Sequence, residues 1–252
     1  MTGIVRSMTI PAWGTIVRSK GLRLISAAFG AVLSAQALAS SIDLSQAPTM
    51  SAMTTIPSQG IKIVESEGRI MAMSANGRWV FEGRIFDTWQ MKQLHTMSEV
   101  QESIETIKID ALKLDIADLG PLTLGRKGLP EVTLFVDPLC GSCKPMLADI
   151  KRLSDSYRFN LLLVGVLGPE SAQRTRELWC ADDRDGAIDA LIRQNPTILP
   201  QSSDCGLEPL QRTLVTAQLF GLEGVPFLIA PNGRIHRGAP NDLSSWIEQN
   251  SL

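Results

Sequence analysis

The chain has 252 residues, 44% of them hydrophobic and 20% charged, with 24 Lys+Arg against 26 Asp+Glu. This is the composition of a globular protein long enough for one large domain or two smaller ones, and it excludes a disordered chain and a polytopic membrane protein. No basic stripe is visible, which argues against nucleic acid as a partner.

The first acidic residue is Asp43. Before it lie Arg6, Arg18, Lys20 and Arg23, then the apolar run "LISAAFGAVLSAQALAS" with a small-x-small end at Ala37-Leu38-Ala39. Residues 1–39 therefore read as a secretory signal cleaved near Ala39/Ser40. Initiation at Met8 and retention as an anchor are the other readings, although the run is short and rich in Ala and Ser for a stable span. Removing its positive charges takes the formal charge from −2 to about −6. Export places the four cysteines in an oxidising compartment, where disulfides persist.

Residues 40–59 are rich in Ser, Thr, Pro and Met without a period and read as a mobile mature N-terminus. A small β domain is expected over residues 60–97. Ile61 to Val64 looks like a strand, and "GRIMAMSANGRWVFEG" like a hairpin turning at Asn76-Gly77, a pair that accepts the positive φ angles of a type I′ turn. Trp79 and Phe81 share one face of such a strand. Two or three strands do not close a core alone, so this unit must pack on the rest of the chain or on a second copy.

Ser98-Glu99-Val100-Gln101 has capping-box spacing, and Val100, Ile104, Ile107, Ala111 and Leu114 make one apolar helical stripe. Gly120-Pro121 and Gly125 to Pro130 then break the pattern. Residues 98–128 are read as a linker helix and hinge; a helix packed wholly within one domain is the other reading.

The pattern changes over residues 129–252. "EVTLFV" is a continuous apolar strand of the buried parallel kind. Met146, Leu147, Ile150 and Leu153 mark a helical face, and "FNLLLVGV" is a second buried strand, which completes a β-α-β unit. Pro169 to Cys180, Asp185 to Arg193 and Leu207 to Phe220 read as helices, "PFLIAPNGRIH" as a hairpin turning at Asn232-Gly233, and "PNDLSSWIEQN" as a last helix. The order β-α-β, helices, β-β-α is that of an α/β, thioredoxin-like fold with a helical insertion.

The chemistry concentrates in "LFVDPLCGSCKP". A strand ends near Pro138 and a helix begins near Cys140, so Cys140 faces unpaired backbone N–H groups and the positive end of a helix dipole. Both favour the thiolate, the nucleophile of disulfide exchange. We assign Cys140 as the exposed nucleophile and Cys143 as the thiol that resolves a mixed disulfide. Gly141 and Ser142 shape the loop between them, Lys144 and Asp137 add opposite charges, and Pro145 early in the helix suggests a small kink. A structural zinc site wants four ligands in close pairs. Here Cys180 and Cys205 are separated by 24 intervening residues, and His95 and His236 belong to no ligand motif. A mere staple is weak because so short a loop removes little chain entropy. Redox chemistry is the leading reading, and no metal or cofactor is expected.

Four cysteines allow three pairings, and their arithmetic does not choose. A structural disulfide between Cys180 and Cys205, which flank the helical insertion, is the simplest reading; a second redox pair is the alternative. Gly224-Val225-Pro226, taken alone, is a turn at a strand start.

Together these segments resemble the periplasmic disulfide-bond isomerases of the DsbC/DsbG type. The resemblance runs from about Gly60 to Asn250 and rests on "GRIMAMSANGRWVFEGRIFD", "LFVDPLCGSCKPM", "ELWCADDRDGAIDALI", the placement of Cys205, and "GLEGVPFLIAPNGRIHRG". It implies a V-shaped homodimer joined through N-terminal domains, with thioredoxin-like domains facing a cleft for exported proteins that carry disulfides. It also implies a membrane thiol reductase as electron donor. Matching positions are Cys140 and Cys143 for the active site, Val225 and the cis-proline Pro226 for substrate binding, and Cys180–Cys205 for a structural disulfide. The chain departs from the family in three places. The segment before Gly60 is short for the helix and strand that begin the dimerisation domain, Gly141-Ser142 lacks the usual aromatic residue, and Val225 stands where threonine is common. A dedicated disulfide-handling factor, or a chaperone-like binding module for a secretion or conjugation assembly, is the competing reading.

Overall fold

The computed structural model describes residues 50–56 and 60–251. The expected signal over residues 1–39, and residues 40–49 and 57–59 of the expected mobile terminus, lie outside the described residues. Within that terminus, Met50–Thr55 forms a strand, β1, antiparallel to β2 (Ile61–Ser66). The sequence hides it because β1 is an edge strand with mostly exposed side chains, and such a strand shows no strong apolar alternation.

β2 turns into β3 (Arg69–Ser74) through Glu67-Gly68, with Ser66 opposite Arg69 and φ of 50° and 72° at the two turn residues. Positive φ at both central positions is what a type I′ hairpin demands, and glycine adopts it without penalty. The expected type I′ turn at Asn76-Gly77 is different. Only Gly77 has positive φ there, and its amide closes on the Ser74 carbonyl at 2.9 Å while the Asn76 side chain accepts from the Arg78 amide at 3.1 Å. That turn leads to β4 (Val80–Phe81), the fourth strand in the order β1-β2-β3-β4. A two-stranded hairpin follows, β5 (Ile85–Asp87) with β6 (Lys92–Leu94).

Helix α1 spans Met97–Ile104. Its capping box uses Thr96 and Glu99, two residues before the expected Ser98 start: Thr96 Oγ1 accepts from the Glu99 amide at 3.2 Å, and the Glu99 carboxylate accepts from the Thr96 amide at 3.3 Å. Val100 of α1 joins Ile63, Ile70 and Leu94 in a small core. The expected long linker helix stops at Ile104. Beyond it the backbone is drawn onto the turn at Asn232-Gly233, where the Ile107 amide meets Gly233 O at 2.8 Å and the Ile235 amide meets Glu105 O at 2.9 Å. Two short 3-10 turns, Ile109–Leu112 and Ile116–Leu119, carry the chain onward. Within the expected hinge, Leu122–Leu124 is then a strand, β7.

The main sheet has the order β11-β10-β8-β9-β7, from β7, β8 (Glu131–Val136), β9 (Arg158–Leu163), β10 (Phe227–Ile229) and β11 (Ile235–Arg237). β8 and β9 are parallel, with Glu131 opposite Arg158; the other neighbours are antiparallel. Both faces of the central strands are covered, which is why they read as unbroken apolar runs. Val132, Leu134 and Val136 of β8 pack with Phe159, Leu161 and Leu163 of β9 against α2 (Cys143–Leu153), α4 (Arg184–Arg193) and α6 (Leu243–Gln249). Phe135 and Leu162 point the other way, toward α5 (Glu208–Leu219), Phe220 and Ile107. Helix α3 (Pro169–Trp179) adds Leu178 to the first face. The sheet, the parallel β8-α2-β9 unit and the inserted α3–α5 make this an α/β, thioredoxin-like fold. Among the described residues no helix is long and apolar enough to cross a membrane.

Candidate active site

At the end of β8 the chain turns tightly twice. The Cys140 amide bonds Asp137 O at 3.1 Å, and the Cys143 amide bonds Cys140 O at 3.1 Å. Helix α2 starts at Cys143 with Ser142 as N-cap, so Cys140 lies just outside the helix rather than at its cap. Pro145 is therefore the third helical residue, where the backbone N–H has no partner within the helix, and the expected kink loses its cause. Lys151 and Arg152 in the last turn complement the dipole.

Cys140 and Cys143 are disulfide-bonded, with Cα atoms 5.3 Å apart. Cys140 is 3% exposed and Cys143 is fully covered. The thiol expected to be exposed is thus nearly covered in this disulfide form, because the Val225 carbonyl oxygen approaches Cys140 Sγ at 3.6 Å and Ser142 Oγ lies 3.2 Å from it. A disulfide sulfur carries no proton, so the Val225 approach is a contact, not a hydrogen bond. The Ser142 hydroxyl does have a proton, and Val225 O at 3.4 Å is one acceptor for it. The Cys143 amide lies 3.2 Å from Cys140 Sγ. On reduction this amide and the helix end would face the freed Cys140 sulfur, the arrangement that stabilises a thiolate.

The structure brings Val225 and Pro226 to this disulfide across more than 80 residues, and the bond between them is cis. Gly141 is exposed, with open space around its Cα. Cys180 and Cys205 form a second disulfide, Cα atoms 5.4 Å apart, linking the end of α3 to the segment before α5. Beside it the Trp179 indole N–H donates to Gly206 O at 2.8 Å, and the Ser202 amide meets Cys180 O at 2.8 Å. The structure does not bring this pair to Cys140. Among the described residues no cluster of three or more His, Cys, Asp or Glu could hold a metal. His236 instead bonds Gly238 O at 3.0 Å and packs edge-on against Trp246.

The sequence alone does not point to Gln194, and it shows Asp137 only as a nearby negative charge. Gln194, beyond α4, donates from Nε2 to the Cys140 carbonyl at 2.8 Å. Asp137 is fully buried beneath the loop. For Asp137 the signal is a carboxylate closing an apolar strand just before the cysteine; for Gln194 there is none.

Fold and site define a class: a thioredoxin-like α/β protein with a disulfide-bonded Cys-x-x-Cys at a helix N-terminus, facing a cis-proline. No family model matches the chain. It is 26% identical over 166 residues to the probable thiol:disulfide interchange protein DsbC of Bordetella parapertussis, covering 65% of this chain and 56% of that one. It is 23% identical over 197 residues to the thiol:disulfide interchange protein DsbC of Dickeya dadantii, covering 76% and 78%. A solved disulfide interchange protein from Neisseria gonorrhoeae aligns with a TM-score of 0.46 and 25% identity, over 55% of this chain and 99% of that one. Over these stretches the chain is similar to proteins named thiol:disulfide interchange protein DsbC, and it spans little more than half the length of the Bordetella protein it matches.

Proposed function

We propose that the chain is a thiol–disulfide oxidoreductase acting as an isomerase or reductase of exported, disulfide-containing proteins in the periplasm. The observation that carries this reading is the Cys140–Cys143 disulfide between a buried strand and a helix N-terminus, against cis Val225-Pro226. In the reduced protein, Cys140 thiolate attacks a substrate disulfide, forms a mixed disulfide and expels one substrate sulfur as thiolate. Cys143 then attacks Cys140 and releases the second substrate thiol, which leaves the protein oxidised by two electrons. In isomerisation a substrate thiol resolves the intermediate instead, and no net electrons move. A membrane thiol reductase returns Cys140–Cys143 to the dithiol. Val225 and Pro226 align an extended substrate segment, and Cys180–Cys205 is structural.

A homodimer fits the small sheet, where Trp79 and Phe81 at the β4 edge are 56% and 62% exposed. The same exposed edge favours the second reading, a dedicated or chaperone-like module for one secretion or conjugation assembly. Refolding of a scrambled disulfide protein tests the main reading. The unmodified chain should restore activity, Cys140→Ser should not, and Cys143→Ala should accumulate mixed disulfides at Cys140. Full rescue by Cys140→Ser would overturn it. Rescue of one client but not of unrelated ones would favour the dedicated factor.

A further inference from the structure

Two buried hydroxyls of the helical insertion have clear partners: Ser171 in α3 donates to the Asp137 carboxylate, and Thr213 in α5 donates to Leu119 O at 2.7 Å. Thr175, one turn after Ser171, does not. It is 5% exposed, and its Oγ1 meets no hydrogen-bond partner among the described residues. An unpaired buried hydroxyl is costly, so its presence calls for an explanation.

Thr175 lines a cavity of about 240 Å³ between the end of β9, α3 and α5. Leu163, Leu207, Leu210 and Leu214 supply its apolar walls. The hydroxyl lies on the side formed by Gly165: a Cβ there would stand 3.0 Å from Thr175 Oγ1 and 2.6 Å from Ala172 Cα, so only glycine lets α3 come this close. Arg176 and Gln211 also line the cavity and are exposed, which puts them at its opening. Among the described residues Arg176 forms no ion pair. No lining residue belongs to the Cys140–Cys143 loop or to Val225-Pro226.

We propose that this cavity is a binding site for a small organic hydroxy acid. The apolar body of the ligand lies against the leucines, its hydroxyl pairs with Thr175 Oγ1, and its carboxylate meets the Arg176 guanidinium at the opening. The size follows from the volume: at about 30 Å³ per water-sized group the cavity holds about eight such groups, which sets a ligand of roughly eight to ten non-hydrogen atoms. The charge follows from the unpaired guanidinium. The second polar group follows from Thr175, because a purely apolar ligand would leave that hydroxyl unpaired.

The probe is 4-hydroxybenzoate, and the measurement is a ligand-observed NMR titration of the full chain. The unmodified protein should bind it with a Kd of about 1 mM or tighter, a modest efficiency for so few atoms. Benzoate, which lacks the hydroxyl, should bind about three- to tenfold more weakly. In Thr175→Val that preference should vanish or reverse, since the phenol hydroxyl then enters the cavity without a partner. Arg176→Gln should weaken 4-hydroxybenzoate by about five- to tenfold and leave the neutral 4-hydroxybenzyl alcohol unchanged. No saturable binding of 4-hydroxybenzoate up to about 10 mM overturns the site. An undiminished preference over benzoate in Thr175→Val overturns the role of the hydroxyl, and equal affinity in Arg176→Gln overturns the seat for the carboxylate. Arg176 is exposed, so its variant still decides if Thr175→Val fails to fold. The proposal stands apart from the exchange chemistry: failure to rescue a scrambled protein leaves it intact, and failure to bind the probe leaves the exchange reading intact.

Discussion

The side-chain amide of Gln194 donates a 2.8 Å hydrogen bond to the carbonyl oxygen of Cys140, joining residues 54 apart in the chain. Gln194 stops α4 in a left-handed conformation, φ 48°, so the helical insertion itself grips the loop that carries the reactive cysteine. The same carbonyl also accepts the Cys143 amide, and losing Gln194 leaves it partnered. Gln194→Ala should therefore cost only about 1 kcal/mol of stability. Thermal unfolding should show a midpoint lower by about 2–4 °C.

Ser142 stands between Cys140 Sγ and the Val225 carbonyl, at 3.2 and 3.4 Å. After reduction its hydroxyl is free to turn to the Cys140 sulfur and stabilise negative charge there. Ser142→Ala should slow alkylation of Cys140 by iodoacetamide at neutral pH by roughly three- to tenfold, and Ser142→Thr should restore much of the rate. Equal rates in the three proteins would show that the hydroxyl stays on Val225.

The Cys180–Cys205 disulfide closes a loop with a sequence separation of 25. Chain-entropy arguments give such a closure about 3 kcal/mol. Cys180→Ser/Cys205→Ser should unfold roughly 10 °C below the unmodified protein in a thermal scan. Its alkylation rate at Cys140 should stay within about twofold, because this disulfide does not touch the Cys140 loop.

Three carboxylates lie below their ordinary range. Glu99 is held there by the His95 amide, Glu177 by Gln173 and then Arg174, and Asp189 by Lys151. A depressed folded value means that each contributes stability above its unfolded value, near 4, and loses it as pH falls through the folded one. Urea midpoints should hold from about pH 7 to 5 and fall below about pH 4.5. Glu99→Gln/Glu177→Gln/Asp189→Asn should flatten that fall. All three are near the surface, so added salt should shrink the difference.

How well each element could be read from the sequence follows the range of the forces that make it. The buried strand Glu131–Val136 and the face Met146, Leu147, Ile150 and Leu153 of the following helix announce themselves by local period. Thr96–Glu99 is a local cap, legible but misread by two residues. The continuous stripe from Val100 to Leu114 suggested one helix and was wrong. The backbone there gains more from the Gly233 and Ile235 partners, with Glu105 paired to Arg234 at 2.5 Å, than from further helical turns. β1 and β7 were missed for a related reason: their strand state comes from pairing with β2 and β9, not from their own side chains.

By itself the sequence determined the buried β8-α2-β9 unit, the Cys-x-x-Cys at its junction and the order of the helices, since apolar periodicity and residue spacing are written along the chain. Only the tertiary structure decided that Cys140 is nearly covered by Val225, that Gln194 holds its carbonyl, and that Asp137 gathers amides from two loops. Each of the last three is a contact across 54 or more residues or between separate loops. Such contacts form only when the sheet brings their carriers together, so no local pattern encodes them.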